Sequence, residues 1–266
     1  MFRLALILAA SAILLLAAGM LYTLIIQSLP AFEHWEVFSP SGFSGWDSGE
    51  DQGKHEARSI VAGTFATAIL ALLVSIPFAL SLALFCSVYR KNTKTARRVS
   101  TFVDLCARIP SIILGVWGYF SLRPVLLSLH TGIYASGILT TALVLAIMII
   151  PYLASFGACL FDQVPGNLKE GAYSLGATHT EVIRTVCFPF ARKGLVVAVF
   201  LAFGKVLGET MIVCLLAGNT IPSVLVGRLE TAGELSRSGL CALALLLFLT
   251  TAVIHSVTVH LRKQTG

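Results

Sequence analysis

Charged residues are scarce in this chain. They make up 12% of its 266 residues, whereas soluble globular proteins carry roughly 25%. Hydrophobic residues make up 56%, and the mean hydropathy is +0.87. This composition excludes a soluble globular protein and indicates an integral membrane protein. The net charge of +6 therefore does not indicate a nucleic-acid partner, because basic residues of membrane proteins concentrate in cytoplasmic loops.

Catalytic and metal-binding motifs are also missing. The nearest approach to a P-loop, at residues 49–55, reads G-x3-G-K-H, with too few residues between the glycines and histidine in place of serine or threonine. No HExxH or GxSxG pattern occurs, and the six cysteines form no CxxC pair. We therefore expect no enzymatic activity, no metal site and no bound cofactor on this chain. Any process on this chain that needs energy must draw it from a partner or an ion gradient.

Long apolar runs predict membrane-spanning helices. Residues 4–26 carry no charge. This segment is long enough to cross a hydrocarbon core of ~30 Å and too long for the apolar core of a signal peptide, which has roughly 7–15 residues. We expect an uncleaved first span and five more, with a break at His130-Thr131-Gly132 before the fourth. The predicted fold class is an all-α polytopic membrane protein with about six transmembrane helices, at residues 4–27, 60–88, 102–129, 136–161, 195–216 and 240–260.

Loop charges orient the predicted spans. Residues 90–98 contain five basic residues and no acid, which places this loop in the cytoplasm. Alternation then puts both termini and a polar loop at residues 162–194 in the cytoplasm. The chain divides into a first helix (residues 1–28), an external loop (residues 29–59) and a core (residues 60–261) with five helices. We expect a multi-pass protein of the bacterial inner membrane.

The polar loop at residues 162–194 contains a spaced motif. It resembles the coupling loop of ABC importer permeases, written EAA-x3-G-x9-I-x-LP, which docks on a separate ATPase. Four positions match and three carry substitutions. The coupling residues implied by the resemblance are Glu170, Gly171, Ala172, Gly176, Val186, Phe188 and Pro189.

The residue types of this loop predict its local structure. Asn167 can cap a helix whose third residue is Glu170, as in a capping box. Gly176 suits a tight turn, because glycine adopts a left-handed conformation without steric penalty. Thr178 or Thr180 can cap a second helix, and a proline further on would end or bend it.

Two charges lie inside the fifth predicted span. Lys205 and Glu209 are four residues apart, so a continuous helix would place them on one face where they can pair. Each costs roughly 2.5–3.5 kcal/mol at mid-membrane. We expect Lys205, Glu209 and the adjacent Thr210 to line a translocation path, and the alternative is a buried ion pair that fixes helix packing. Gly204 and Gly208 would allow a second helix to approach closely.

A third candidate region lies near the start of the third predicted span. Pro110 lacks a backbone donor near a helix start, and Asp104 and Arg108 could pair at the cytoplasmic boundary. A role of Arg108 and Ser111 in lining the path and a purely structural polar collar are equally compatible with the sequence. Two glycines that follow thin one helix face: Gly115 and Gly118.

Three segments together narrow the resemblance. IPS-x3-G-x-WG-x-F, the coupling loop and LGETM-x-V-x4-GN occur in the same order as in permeases of phosphate ABC importers of the PstC/PstA type, and the chain is more similar to PstC. The resemblance implies a type I ABC importer permease fold and ATP-driven inward transport of inorganic phosphate. It also implies a second permease subunit (PstA-like, with a copy of this chain as the alternative), a cytoplasmic ABC ATPase dimer that uses the ATP, and a periplasmic or surface phosphate-binding protein.

One departure bears on the substrate. Lys205 stands where the family usually has arginine, whose planar fork binds an oxyanion in a bidentate manner. An importer of another oxyanion therefore remains an alternative. A secondary transporter driven by an ion gradient and a non-transporting membrane scaffold are alternatives from other classes. Besides these protein partners, we expect only membrane lipid around the chain.

Overall fold

The computed structural model describes residues 2–33, 57–89, 93–128, 135–218, 220–228 and 234–263. Most of the external loop, the His130-Thr131-Gly132 break and the loop residues 90–92 lie outside the described residues. Within them the chain is helical and contains no strand. The α-helices are α1 (Phe2–Glu33), α2 (Ala57–Leu84), α3 (Lys94–Cys106), α4 (Ser111–Trp117), α5 (Arg123–Ser128), α6 (Thr140–Asp162), α7 (Gly166–Ser174), α8 (His179–Val182), α9 (Phe188–Leu207), α10 (Met211–Leu216), α11 (Ile221–Arg228) and α12 (Glu234–Lys263).

Four π-helical segments extend or join these helices. They are Phe85–Tyr89 after α2, Gly118–Leu122 after α4, Ala135–Leu139 before α6 and Ile183–Cys187 between α8 and α9. Among the described residues, six helical runs are long and apolar enough to cross a membrane, which confirms the predicted fold class. They are Leu6–Ala31, Ser59–Tyr89, Ser111–Ser128, Gly137–Asp162, His179–Leu207 and Arg237–Arg262.

Two of the predicted spans differ from the structure. The third begins at Ser111 rather than at residue 102, because Pro110 disfavours helical geometry in the residue before it, and α3 therefore ends at Cys106. The fifth begins at His179 rather than at residue 195 and ends at Leu207 rather than at residue 216, with α10 as a separate short helix. The other four agree with the prediction to within a few residues.

The chain separates into two compact units. The first comprises Met1–Gly63 and Asn219–Thr250. Its apolar cluster joins the start of α2 to α11 and α12 through Ile60, Ile221, Val224, Leu240 and Leu243. In α1 the apolar side chains of residues 6–16 are largely exposed, as expected of a helix surrounded by lipid.

The second unit comprises Thr64–Gly218 and Thr251–Gly266. Its core packs α2, α3, α6, α9 and α10 around many small residues, including Ala68, Ala71, Ala142, Ala198 and Ala202. Small side chains let helix backbones approach closely, which drives association where lipid removes the hydrophobic force between helices.

Glycines make the tightest contacts of this unit. A Cβ atom on Gly118 would lie 2.6 Å from Val144 Cγ2 of α6 and 3.1 Å from Leu216 Cδ1 of α10. On Gly115 it would lie 2.8 Å from Leu215 Cδ1. The expectation that these two glycines thin a helix face is therefore confirmed, and the neighbours that come close are α10 and, at Gly118, also α6.

We expect Gly118→Ala to destabilise the protein by about 1–3 kcal/mol, because the methyl group would overlap the buried Val144, whose branched side chain cannot move aside. Thermal unfolding of the detergent-solubilised protein, followed by size-exclusion chromatography, measures the effect. Gly19→Ala is the matched control, since nothing lies within 4 Å of a Cβ there. Equal melting temperatures for the two variants would contradict the packing argument.

Candidate functional site

The loop at residues 162–194, called the coupling loop below, folds as two short helices joined by a glycine turn. Gly176 has φ +84°, the left-handed conformation that its residue type predicted. The Gly176 amide donates to the Tyr173 carbonyl (2.9 Å) and the Ala177 amide to the Ala172 carbonyl (3.2 Å). These two bonds form a complete Schellman motif, which fixes the direction in which the chain leaves α7.

The helix starts in this loop differ from the prediction at one end. Asn167 does not cap α7, which begins at Gly166 with Pro165 in the cap position and no side-chain cap bond. Asn167 already lies inside the helix, and its Oδ1 accepts only from the Leu168 amide (3.0 Å). The predicted Asn167–Glu170 capping box is therefore wrong.

A capping box does form at the second helix. Glu181 Oε2 accepts from the Thr178 amide (2.7 Å), and Thr178 Oγ1 accepts from the Glu181 amide (3.4 Å). Of the two threonines that the sequence offered, Thr178 is the cap. The two helix ends that flank the Gly176 turn are thus both fixed by local hydrogen bonds.

The inner side of the coupling loop is anchored in an apolar cluster. Val182, Cys187 and Phe161 are buried there, and the motif residues Ala172, Val186 and Phe188 pack against the cluster. Four other motif residues are exposed: Glu170, Gly171, Gly176 and Pro189. The motif therefore divides into an inner set that holds the loop and an outer set that is open to a partner.

Leu175 is an outer residue that the motif did not indicate. Its side chain is 90% exposed, directly before the Gly176 turn. An exposed leucine at a loop tip is a typical anchor for a protein partner when the surrounding backbone is rigid. A scan for the family spacing could not have found it, because the position is one of the variable ones.

A histidine between two tyrosines connects the coupling loop to the second span, and sequence reasoning missed all three. His179 Nδ1 lies 2.6 Å from the Tyr173 hydroxyl of α7. The His179 ring meets the Tyr89 ring edge-on, with centroids 4.9 Å apart, and Tyr89 ends the π-helical segment after α2. The coupling loop and the end of the second span are therefore in direct contact.

Pro189 does not end the helical run that follows the Gly176 turn. The helical run continues from His179 to Leu207. The π-helical segment Ile183–Cys187 directly precedes α9, whose second residue is Pro189. Since proline has no N–H to donate, a locally widened turn accommodates it. The run has 29 residues, about 43 Å at 1.5 Å per residue, so its charged first half extends beyond the hydrocarbon core.

The second candidate site is a break in the fifth span. The Gly208 amide still donates to the Gly204 carbonyl (3.1 Å) and the Glu209 amide to the Val206 carbonyl (3.1 Å), but Glu209 and Thr210 are not helical. In the hydrocarbon region, non-helical backbone is tolerated only where protein buries it or water lines it. At this depth the break would have to be covered by protein or lined by water.

The break separates the two predicted charges. Because α9 ends at Leu207, between Lys205 and Glu209, the continuous helical face that was predicted to pair them does not exist. Lys205 Nζ instead lies 4.5 Å from the centroid of the Tyr152 ring on α6, a cation–π contact. Glu209 is half-buried, and Thr210 is exposed.

Close helix approach at the two glycines of the fifth span was also expected and does not occur within this chain. A Cβ on Gly204 would meet Ile254 at an ordinary 3.8 Å, and one on Gly208 would meet only carbonyls of its own helix. Among the described residues, tight glycine contacts lie instead at Gly115, Gly118, Gly157 of α6 and Gly194 of α9.

The third candidate region meets the same face of α6. Asp104 Oδ1 accepts from the Ser155 hydroxyl (3.0 Å), so the predicted approach of Asp104 to Arg108 on one helix is replaced by a contact between α3 and α6. Ser155 and Tyr152 are three residues apart and share a helix face. Arg108, exposed, and Ser111, half-buried, lie in the turn and at the start of α4 beside it.

Comparison with known proteins shows the family to which this chain belongs. The binding-protein-dependent transport system inner membrane component family matches residues 75–265. The chain belongs to this family. It is 34% identical over 287 residues to the phosphate transport system permease protein PstC of Mesorhizobium japonicum, with 94% of this chain and 85% of the relative covered. It is 35% identical over 279 residues to the protein of the same name from Haemophilus influenzae, with 91% and 86% covered.

Solved structures agree in fold. A chain of the MetNI methionine ABC transporter in an inward-facing conformation superposes with a TM-score of 0.63 at 21% identity, covering 79% of this permease and 97% of that chain. A chain of a bacterial alginate ABC transporter superposes with a TM-score of 0.65 at 17% identity, covering 92% and 89%. The type I ABC importer permease fold is thereby confirmed, and the permease is a multi-pass inner-membrane component.

We expect Thr178→Ala to loosen the second helix of the coupling loop, because the Glu181 amide loses its acceptor. Loss of an N-cap costs about 1 kcal/mol, which corresponds to about fivefold faster local opening. Hydrogen–deuterium exchange of the peptide covering residues 178–187 measures it. Thr180→Ala, on an exposed neighbour outside the box, is the control and is expected to leave the exchange rate unchanged. Equal rates in both variants would contradict the capping role.

Proposed function

We propose that this permease is a transmembrane subunit of an ATP-driven ABC importer that moves inorganic phosphate across the inner membrane. The observation that carries the proposal is the break in the fifth predicted span, where Lys205 of α9 precedes the non-helical backbone of Glu209 and Thr210. The likeness to PstC along nearly the whole chain supports phosphate as the substrate. The relatives are named as transport permeases, which agrees with a transport subunit rather than an enzyme.

Lys205 supplies the positive charge that an anion needs in order to enter a low-dielectric path. The Tyr152 ring holds the ammonium group by its face without neutralising it, so the charge remains available to a passing oxyanion. Glu209, two residues beyond the end of α9, offsets this attraction and prevents tight retention. A conducting site must bind strongly enough to admit the ion and weakly enough to release it.

A second candidate substrate class is another oxyanion. Lys205 is the observation that favours it, because a lysine presents a compact point charge that does not select the planar geometry of a particular oxyanion. Selectivity for phosphate then resides in the binding protein that delivers it, and the permease supplies a path for small oxyanions.

The coupling loop is the part of the permease on which a cytoplasmic ATPase docks and acts. Its outer residues Glu170 and Leu175 offer a charged and an apolar contact beside a rigid turn, and its inner residues anchor the loop in the apolar cluster. ATP is bound and hydrolysed by the partner, and this chain holds no cofactor. The contact of His179 with Tyr89 gives the ATPase a direct connection to the second span.

The complete importer contains further chains. We infer that a second permease, PstA-like or a copy of this chain, completes the path, since six helices cannot enclose a wide path alone. An ABC ATPase dimer docks in the cytoplasm, where both termini also lie, and a phosphate-binding protein delivers substrate from the other side. The basic loop at residues 90–98 supports this orientation.

Removal of the charge at Lys205 tests the path. We expect Lys205→Ala and Glu209→Gln to lower uptake of radiolabelled orthophosphate at least tenfold, while the complex still assembles, because only the ion's environment changes. Lys205→Arg restores the cation and is expected to retain uptake. The measurement uses cells that lack their own phosphate importer and express the complete complex.

Competition in the same cells identifies the substrate. Inhibition by arsenate alone supports phosphate, whereas inhibition by sulfate or phosphonate supports a broader oxyanion path. Wild-type uptake by both Lys205→Ala and Glu209→Gln would exclude a role of the break in translocation.

Strain at the Gly176 turn tests the coupling loop. We expect Gly176→Ala to lower transport driven by ATP hydrolysis about five- to thirtyfold, because a left-handed alanine costs about 1–2 kcal/mol, and Glu170→Lys to weaken docking by reversing an exposed charge. ATPase activity and uptake are measured together in proteoliposomes.

Gly166→Ala is the matched control for the turn. It also lies in the coupling loop, but its φ is not positive, and a Cβ there would meet only Glu170 Oε1 at 4.0 Å. Normal coupling of uptake to ATP hydrolysis in both Gly176→Ala and Glu170→Lys would show that the ATPase docks elsewhere.

A further inference from the structure

Helix α3 lies at the surface of the membrane. Four residues separate it from the second span, which ends at Tyr89, and four from the third, which begins at Ser111. Four residues reach at most about 14 Å, so a helix between two spans with such short linkers stays close to the headgroup region. The short linkers imply this placement whether α3 lies on the cytoplasmic or on the external side of the membrane.

One face of α3 is held by the protein. Ala96 and Val103 are buried, and Val99 packs against the core of the second unit. Their spacing of three and four residues forms one helical stripe. Thr93 Oγ1 accepts from the Ala96 amide (3.2 Å) and caps the helix start, so the orientation of α3 about its own axis is fixed.

The opposite face carries basic and apolar side chains together. Phe102 and Leu105, which lie outside the buried stripe, are 66% and 61% exposed. An open groove of about 510 Å³ runs along this outer face and is lined by Lys94, Arg97, Arg98, Thr101, Phe102 and Leu105.

The basic residues of this outer face do not stabilise α3 itself. Lys94 and Arg97 lie in the first turns, where the helix dipole disfavours cations. The acid of α3, Asp104, is engaged by the Ser155 hydroxyl of α6 and does not neutralise them. Cations placed against the dipole, beside exposed apolar side chains at a membrane surface, complement an anionic, amphipathic partner.

We propose that the outer face of α3 binds anionic phospholipid, with Lys94, Arg97 and Arg98 on headgroup phosphates and with Phe102 and Leu105 at the acyl boundary. Charge complementarity and position select lipid over the other possible occupant, the ATPase, because an aromatic ring and a leucine beside the hydrocarbon need an apolar neighbour there. Juxtamembrane basic residues are recognised by anionic leaflets in this way. The lipid thus fixes α3, which contacts α6 beside Tyr152 and Lys205.

The test places an indole at the acyl boundary. The full chain with Phe102→Trp is reconstituted in vesicles that contain brominated phosphatidylglycerol or brominated phosphatidylcholine, and the parent protein provides the background from its natural tryptophans. We expect several-fold stronger quenching by the phosphatidylglycerol. Each cation removed lowers the preference about fivefold, so Arg97→Gln/Arg98→Gln is expected to abolish it, and high salt to reduce it.

The charge-conserving pair Arg97→Lys/Arg98→Lys is the matched control and is expected to keep the lipid preference, since the interaction needs charge rather than guanidinium geometry. Equal quenching by both lipids overturns the proposal, as does a preference that survives Arg97→Gln/Arg98→Gln. Absence of quenching combined with protection from aqueous iodide only when ATPase is added would assign this face to the ATPase and also overturn it. None of these outcomes depends on which ion the permease transports.

Discussion

The need to satisfy every backbone hydrogen bond in lipid governs this structure. A chain with so few charges must cross the membrane, and in hydrocarbon only helices satisfy their own N–H and C=O groups. The described residues are accordingly helical, and the departures from regular α-helix are informative. The π-helical segments connect or extend helices, and the break after Leu207 exposes backbone where lipid could not solvate it. The same constraint that shapes the fold thus requires that protein or water cover the backbone at this break.

Close packing around small residues gives that interruption a fixed frame. Gly115 and Gly118 bring the third span against α10, the short helix beyond the break. Tyr152 and Ser155 of α6 contact Lys205 and Asp104 on one face. Lys205 and Asp104 of α3 therefore contact the same helix. A change in the position of α6 would alter the surroundings of Lys205.

The coupling loop behaves as a rigid body rather than as a flexible connection. A Schellman motif and a capping box fix its two helix ends, and an apolar cluster holds its inner side. Its contact with the second span runs through Tyr173, His179 and Tyr89. A loop with these restraints transmits displacement instead of absorbing it. Its outer tip, where Leu175 is exposed, is free to engage a partner without disturbing the inner contacts.

The sequence by itself determined the membrane class, six apolar spans, the left-handed turn at Gly176 and the family, because these depend on composition, segment length and local spacing. It misplaced the Asn167 cap, since Pro165 and Gly166 start the helix earlier, and it joined Lys205 and Glu209 on a helix that ends between them. Only the tertiary structure decided that Lys205 contacts Tyr152, that Asp104 meets Ser155 and that His179 lies between two tyrosines. These contacts join residues distant in sequence or separated by a turn, and packing of whole helices, rather than local preference, selects them.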